Sequence, residues 1–225
     1  MSRYYISDCH FFHDALNRQM DCRGFADAED MNRVMLERWN ARVKKKDEVY
    51  ILGDFSYGNA EETNRILDAI HGRLFLLRGN HDRFIKSREA HTDRFEWIRD
   101  YAEVHDNNRR VILCHYPVMF YNGQYRRQPA KTGGFGDPAD IPADDRMPRT
   151  WMLYGHVHDT VDERLMRRFI AMTRETVRTD REGQEYHIPC QMINCYCGYS
   201  DYVPLSLDEW IENDRKRQEG SENDT

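Results

Sequence analysis

The sequence has no apolar run long enough to span a membrane, which argues against a helical membrane protein. It has no C-x-x-C pair among its six cysteines, so a zinc ribbon or thioredoxin-like motif has no support. Internal repeats and a second domain are also missing. A basic excess is absent: 33 Lys and Arg stand against 39 Asp and Glu, for a net charge of −6. A non-specific nucleic-acid binder is usually basic, because phosphate neutralisation supplies its affinity. The balance therefore argues mildly against that role. Prolines are few, and four of the seven fall between residues 121 and 149.

What is present suits a soluble domain with a highly charged surface, since 40% of residues are hydrophobic and 32% charged. A chain of 225 residues can bury a sizeable core in one domain. The first strand begins by Tyr4, which leaves no room for a signal peptide and predicts a cytoplasmic protein. Cys195 and Cys197 would share one face of a strand, where a disulfide or soft-metal site is conceivable; reduced, buried thiols fit better.

Strand and helix patterns alternate. A loop from Phe11 to Ala26 precedes a helix capped by Asp27 or Asp30 and running to about Val43, with Met31, Val34, Met35 and Trp39 on one face. A second helix turns Ile66, Leu67 and Ile70 inward and stops at Gly72. Residues 84 to 100 read as a short helix and a loop, followed by two strands around Asp106-Asn107-Asn108. From Asp159 to about Arg178 the pattern is helical. Val161, Leu165, Phe169 and Met172 mark its apolar stripe, and Arg167, Arg168, Arg174 and Arg178 its basic side. His187 to Cys195 reads as a closing strand. The domain is expected to span 1–212, with 213–225 a flexible tail. Residues 121–149 are expected to form a substrate-facing loop, because the segment leaves beside His115 and returns beside His156.

Five apolar runs each stop on a residue able to bind metal. They end at Asp8 with His10, at Asp54, at Asn80-His81-Asp82, at His115, and at His156 with His158. Strand ends in an α/β sheet share one edge, where such folds place their sites. Extended alternation would turn Asp8 and His10 to one side, and His156 and His158 likewise. His81, next to Asn80, would face a bound substrate and act on a phosphoryl oxygen or leaving group. Asp82 would orient the His81 ring. His13 and Arg23, in the first loop, are candidate contacts to a substrate phosphate. Phe11, Phe12, Tyr116, Phe120, Tyr121 and Tyr125 offer faces for a nucleobase or packing beneath the long loop.

The ordered set Asp8-x-His10, Gly53-Asp54, Gly79-Asn80-His81-Asp82, His115 and Gly155-His156-x-His158 resembles the calcineurin-like metallophosphoesterase superfamily, and the segment Asn32 to Phe55, with Trp39-Asn40, further resembles its compact bacterial and phage branch. The resemblance runs from residue 4 to residue 158 and thins beyond. It implies an α/β fold, a four-layer αββα sandwich of two mixed β-sheets flanked by helices. It implies two divalent transition-metal ions, manganese first, with iron, zinc, cobalt or nickel as alternatives. By position, Asp8, His10, Asp54 and His158 would hold the first ion. Asp54, Asn80, His115 and His156 would hold the second, and His81 would stay unliganded. The implied activity is hydrolysis of a small, possibly nucleotide-like phosphodiester or phosphomonoester, by in-line attack of a metal-bound hydroxide. A nuclease acting on DNA or RNA ends is the alternative, supported by Arg126, Arg127, Lys131, Arg146 and Arg149. A catalytically silent scaffold would lack some of these ligands. The sequence does not fix the oligomeric state.

Overall fold

A computed structural model of the protein describes residues 1–125, 148–179 and 181–222. Most of the 121–149 segment, including Arg126, Arg127, Lys131 and Arg146, therefore lies outside the described residues. No helix among the described residues is long and apolar enough to cross a membrane.

The first half builds one sheet. Strands β1 (Arg3–Ile6), β2 (Glu48–Ile51), β3 (Arg73–Leu77) and β4 (Phe95–Arg99) lie side by side in that order, all parallel. Helices α1 (Ala28–Arg42) and α2 (Ala60–Ala69) supply the crossovers that parallel pairing requires. The Asp27 side chain accepts from Asp30 N–H to start α1, and Asn59 with Glu62 forms a capping box on α2. As the spacing predicts, α1 buries Met31, Met35 and Trp39.

The second half builds the other sheet, in the order Gln191–Asn194, Thr150–Tyr154, Arg109–Cys114, Tyr101–Asp106. β5 (Tyr101–Asp106) and β6 (Arg109–Cys114) form an antiparallel hairpin. Its turn residues Asn107 and Asn108 both take φ near +50° to +60°, at 45° and 62°, as a tight hairpin turn requires. β7 (Thr150–Tyr154) pairs in parallel with β6 and with β10 (Gln191–Asn194). The expectation of two mixed sheets sharpens accordingly: the first is parallel among the described residues, and the second mixes both senses.

Three apolar layers define the stacking. One packs α1 and α2 on the outer face of the first sheet, through Met31, Trp39, Ile66, Ile51 and Leu74. The middle layer joins the sheets, through Tyr5, Leu52, Phe75, Val111, Leu153 and Ile193. The third packs α3 (Val161–Glu175) on the second sheet, through Met152, Tyr154, Met166, Phe169 and Ile170. The result is the expected αββα sandwich. Helix α4 (Leu207–Glu222) closes the middle layer, where Trp210 is fully buried and donates its Nε1–H to Tyr5 O at 2.9 Å.

Several expectations change. The first loop contains a helical turn at Leu16–Met20. Helix α2 ends at Ala69, before Gly72. Residues 84–100 end in β4, an edge strand whose half-exposed, charged faces hide the alternation. In α3 the inward face is Glu163, Met166, Phe169, Ile170 and Thr173, while Val161, Leu165 and Met172 are 57%, 53% and 56% exposed. Polar residues occupy the inner face there because each finds a partner. Glu163 accepts from Tyr154 Oη–H at 3.0 Å, and Thr173 Oγ1 accepts from Cys190 N–H at 3.0 Å. After α3 the chain forms a short hairpin of β8 (Val177–Thr179) and β9 (Glu185–His187), so the closing strand is interrupted. Residues expected as a flexible tail instead continue α4 to Glu222. They are anchored by Asn213 on Tyr199 O at 2.8 Å and by Arg167 on Asp214.

Candidate metal centre

The ligand candidates sit just past the strand ends, in turns rather than extended chain. Asp8, His10, Asp54, His156 and His158 have φ of 55°, 49°, 50°, 70° and 46°. The left-handed region costs a non-glycine residue roughly 1–2 kcal/mol, and such costs concentrate at functional sites. The extended alternation expected for Asp8 with His10, and for His156 with His158, is therefore replaced. Left-handed turns aim His158 at His10 and leave His156 beside His115, with ring centroids 5.1 Å apart in each pair. Two glycines make the close approaches feasible. A Cβ on Gly79 would lie 2.2 Å from Asp54 N, and one on Gly53 would lie 2.4 Å from His115 Nδ1.

Asp8, Asp54, His10, His115 and His158 are all buried and converge. Their ligand atoms form two overlapping groups, Asp8 with His10 and His158, and Asp8 with Asp54 and His115. Oδ2 of Asp54 lies 3.4 Å from His10 Nε2 and 3.5 Å from His115 Nε2. One carboxylate oxygen thus stands between the two groups. His10 Nε2 and His158 Nε2 are 3.2 Å apart, and Asn80 Oδ1 lies 3.0 Å from His115 Nε2. His156 is more exposed, stands edge-on to Tyr116 at 4.6 Å, and falls outside the tight groups. Its backbone N–H lies 3.0 and 3.1 Å from the two Asp8 carboxylate oxygens.

Second nitrogens fix the ring orientations. His115 Nδ1 lies 2.8 Å from Leu52 O, which can only accept, so Nε2 carries the lone pair. His158 Nδ1 lies 2.8 Å from Asp21 Oδ1, with the same consequence. The His81 ring lies 5.4 Å from that of His10 and outside both ligand groups. His13 stacks on Tyr57 at 4.0 Å and an interplanar angle of 15°, with its ring 6.3 Å from that of His81.

Two expected roles are overturned. Asp82 does not touch the His81 ring. Its buried carboxylate accepts from the N–H groups of Phe55, Gly79 and Asp54 at 2.7, 2.8 and 3.0 Å, with a longer contact from Ser56. Those donors consume its acceptor capacity, so it braces two turns. Arg23 is not free to meet a substrate. Its side chain is 0% exposed and is engaged by Asp21, Cys9 O and Asp8 O. Sequence reasoning missed Asp21, Tyr57 and Tyr196. A lone Asp in a loop carries no periodic signal, and a stacking partner is defined only in space.

Burial dominates the electrostatics. It holds the Asp54 carboxyl above the usual range and pushes Asp82 up to about 6. Burial, reinforced by His158, drives His10 well below the ordinary imidazole value. Burial lowers His13 and His156 too, helped by His81 and His115 respectively. For His158 burial also pulls downward, but the bond to Asp21 and the fields of Asp8 and Asp21 outweigh it and raise it. Among the described residues no Lys or Arg pairs with the Asp8 or Asp54 carboxylate. Buried carboxylates without a cation are unfavourable. Convergent lone pairs of three imidazoles, two carboxylates and an amide oxygen therefore fit divalent ions with nitrogen and oxygen preferences.

Comparisons with known proteins agree with this geometry. The chain is 39% identical over 83 residues to the uncharacterized protein MJ1445 of Methanocaldococcus jannaschii, covering 36% of this chain and 47% of that one. It is 36% identical over 134 residues to the gene 66 protein of Mycobacterium phage L5, covering 52% of this chain and 63% of that one. The matches thus span about half to just under two thirds of these relatives. Among solved structures it resembles the protein of unknown function AQ665 from Aquifex aeolicus, with a TM-score of 0.53 and 25% identity over 93% of this chain and 97% of that chain. A family model described as calcineurin-like phosphoesterase matches residues 1–175, well over half of the sequence, and the chain belongs to that family.

Proposed function

We propose that the protein hydrolyses a small phosphodiester or phosphomonoester with the help of two divalent ions, manganese first among the candidates. The observation that carries this reading is Asp54 Oδ2, placed between His10 Nε2 and His115 Nε2 beside a buried Asp8. Asp8, His10, Asp54 and His158 are assigned to one ion. Asp54, Asn80, His115 and His156 are assigned to the other. When bound, such ions neutralise phosphoryl charge and make a water acidic enough to attack phosphorus at neutral pH.

The remaining steps belong to the chain. His81 stands beside the ligand groups but outside them, the position for protonating a leaving alkoxide or bonding a phosphoryl oxygen. His13, backed by the Tyr57 ring, lines the same side and contacts the substrate. Exposed Tyr57 and Tyr116, on the His81 and His115 sides, suit a substrate with a planar group, such as a nucleotide-like ester. Six free cysteines support a reducing, cytoplasmic location. The small ester is preferred to the nuclease alternative because the net charge of −6 disfavours non-specific binding of nucleic-acid phosphates.

The test is hydrolysis of an aryl phosphodiester and its monoester analogue, after metal stripping and manganese return. We expect metal-dependent turnover, and a loss in kcat of roughly 10²–10⁴ in His81→Ala with ion binding intact. Absence of metal-dependent turnover with either ester, or loss of ions in His81→Ala, overturns the assignment.

A further inference from the structure

The first ligand group draws on both sheets. Asp8 and His10 follow β1 of the first sheet, and His158 follows β7 of the second. The end of β1 meets the second sheet through backbone bonds from Ser7 N–H to Cys195 O at 2.9 Å and from Cys197 N–H to Ser7 O at 3.0 Å, but those bonds do not orient the His158 ring. The loop between β1 and α1 touches both. Asp21 accepts from His158 Nδ1–H, with its two oxygens at 2.8 and 3.0 Å. Arg23, two residues on, donates to Cys9 O at 2.7 Å and to Asp8 O at 2.9 Å. Asp21 and Arg23 also pair with each other, with contacts at 2.9 and 3.0 Å. Tyr196 stacks on the His158 ring at 4.9 Å and closes the arrangement.

We infer that Asp21 and Arg23 form a clasp that positions the first-ion ligands across the two sheets. The inference rests on the dinuclear reading above. Its side chains are sealed from solvent, at 4% exposure for Asp21, 0% for Arg23 and 7% for His158. A buried ion pair gives little net stability over apolar packing, because desolvation offsets attraction. Its worth here is geometric. The guanidinium fork holds two successive carbonyls of the Asp8–Cys9 turn, where Asp8 is in the left-handed region. The carboxylate meanwhile fixes which His158 nitrogen carries the lone pair. Partners of this kind affect metal affinity by 10–100-fold. Asp21 and Arg23 are thus positioning residues that act through His158 and Asp8. Asp54, Asn80 and His115, assigned to the second ion, make no contact with them among the described hydrogen bonds, and that imidazole is fixed by Leu52 O.

The consequence is selectivity between the ions. Metal-stripped protein would be titrated with manganese by calorimetry, alongside Asp21→Ala, Asp21→Asn and Arg23→Lys, with circular dichroism to confirm folding. Wild type is expected to take up two ions. In Asp21→Ala one ion should weaken by roughly 10–100-fold while the other keeps its affinity. Asp21→Asn preserves the shape and one acceptor, so it covers the case in which Asp21→Ala fails to fold. It should shift in the same direction by a smaller factor. Arg23→Lys cannot span two carbonyls and should also weaken the same ion. Two ions at wild-type affinity in a folded Asp21→Asn would overturn the clasp alone. Equal weakening of both ions would overturn it too, as the mark of a merely structural role. Wild type that binds no ion would overturn the dinuclear reading and the clasp with it.

Discussion

At the edge of the first sheet, the turns that carry Asp54 and Asn80 are fastened by their own half of the molecule. Asp82 binds the backbone N–H groups of Asp54 and Gly79, and Asp54 Oδ1 binds His81 N–H at 2.7 Å. The edge of the second sheet is fastened to the other half. His115 leans on Leu52 O, His158 on Asp21, and His156 N–H on Asp8. The carboxylate side is therefore built locally, while the imidazole side depends on how the two sheets dock. The proposed dinuclear centre needs both, since one sheet alone supplies only part of the candidate ligand set.

The largest expected effect comes from breaking the local brace. Asp82→Ala leaves two buried N–H donors, of Asp54 and Phe55, and the part-buried one of Gly79 without their partner, at about 1–3 kcal/mol each. Unfolding in urea should show a loss of about 4–6 kcal/mol; a loss below about 1 kcal/mol would mean that the first edge is held by something else.

The docking of the sheets is tested by two buried tryptophans. Trp210 fills the layer between the sheets, and Trp39 lies on the outer side of the first sheet. Either change to Ala should cost about 3–5 kcal/mol. Trp210→Ala should weaken ion binding as well, whereas Trp39→Ala should not. Equal affinities in the two variants would dissolve the contrast between the edges.

Ion removal comes next in size. Manganese at about 100 to 1,000 times its Kd should stabilise the fold by about 2.7 to 4.1 kcal/mol. Thermal scans with and without chelator would read this, and coincident curves would count against an ion-binding edge. The smallest effect is expected far from the site. Leu165→Asp, on the exposed side of α3, should change stability by no more than about 0.5 kcal/mol in urea titration. A large loss would return Leu165 to the core stripe that periodicity assigned to it.

Helices α1 and α3 mark how far the sequence could be read. Both have 15 residues and lie on a sheet. In α1 the apolar spacing gives the buried face, because apolar residues do most of the inward packing there. In α3 it misleads, because Glu163 and Thr173 take inward places through partners on β7 and ahead of β10. Strand β4 escaped notice because an edge strand of five residues with exposed charges carries little period-two signal. The candidate ligands were legible because each follows an apolar run that reads as a strand. Their roles were less so. Asp82 and Arg23 carry charge in the right places, yet the backbone groups that occupy them come from segments distant in the chain.

What the sequence determined by itself is the order β1, α1, β2, α2, β3 in the first half and the ligand types, with the αββα class implied by the family resemblance of the ordered motifs. The element order follows from local hydrophobic period and the ligand types from residue chemistry. What only the tertiary structure decided is which atoms meet. The left-handed turns, the Asp54 oxygen between two imidazoles and the clasp at Asp21 depend on backbone direction and on contacts between distant segments. Neither residue spacing nor composition encodes those distances, because they are set when the two sheets pack.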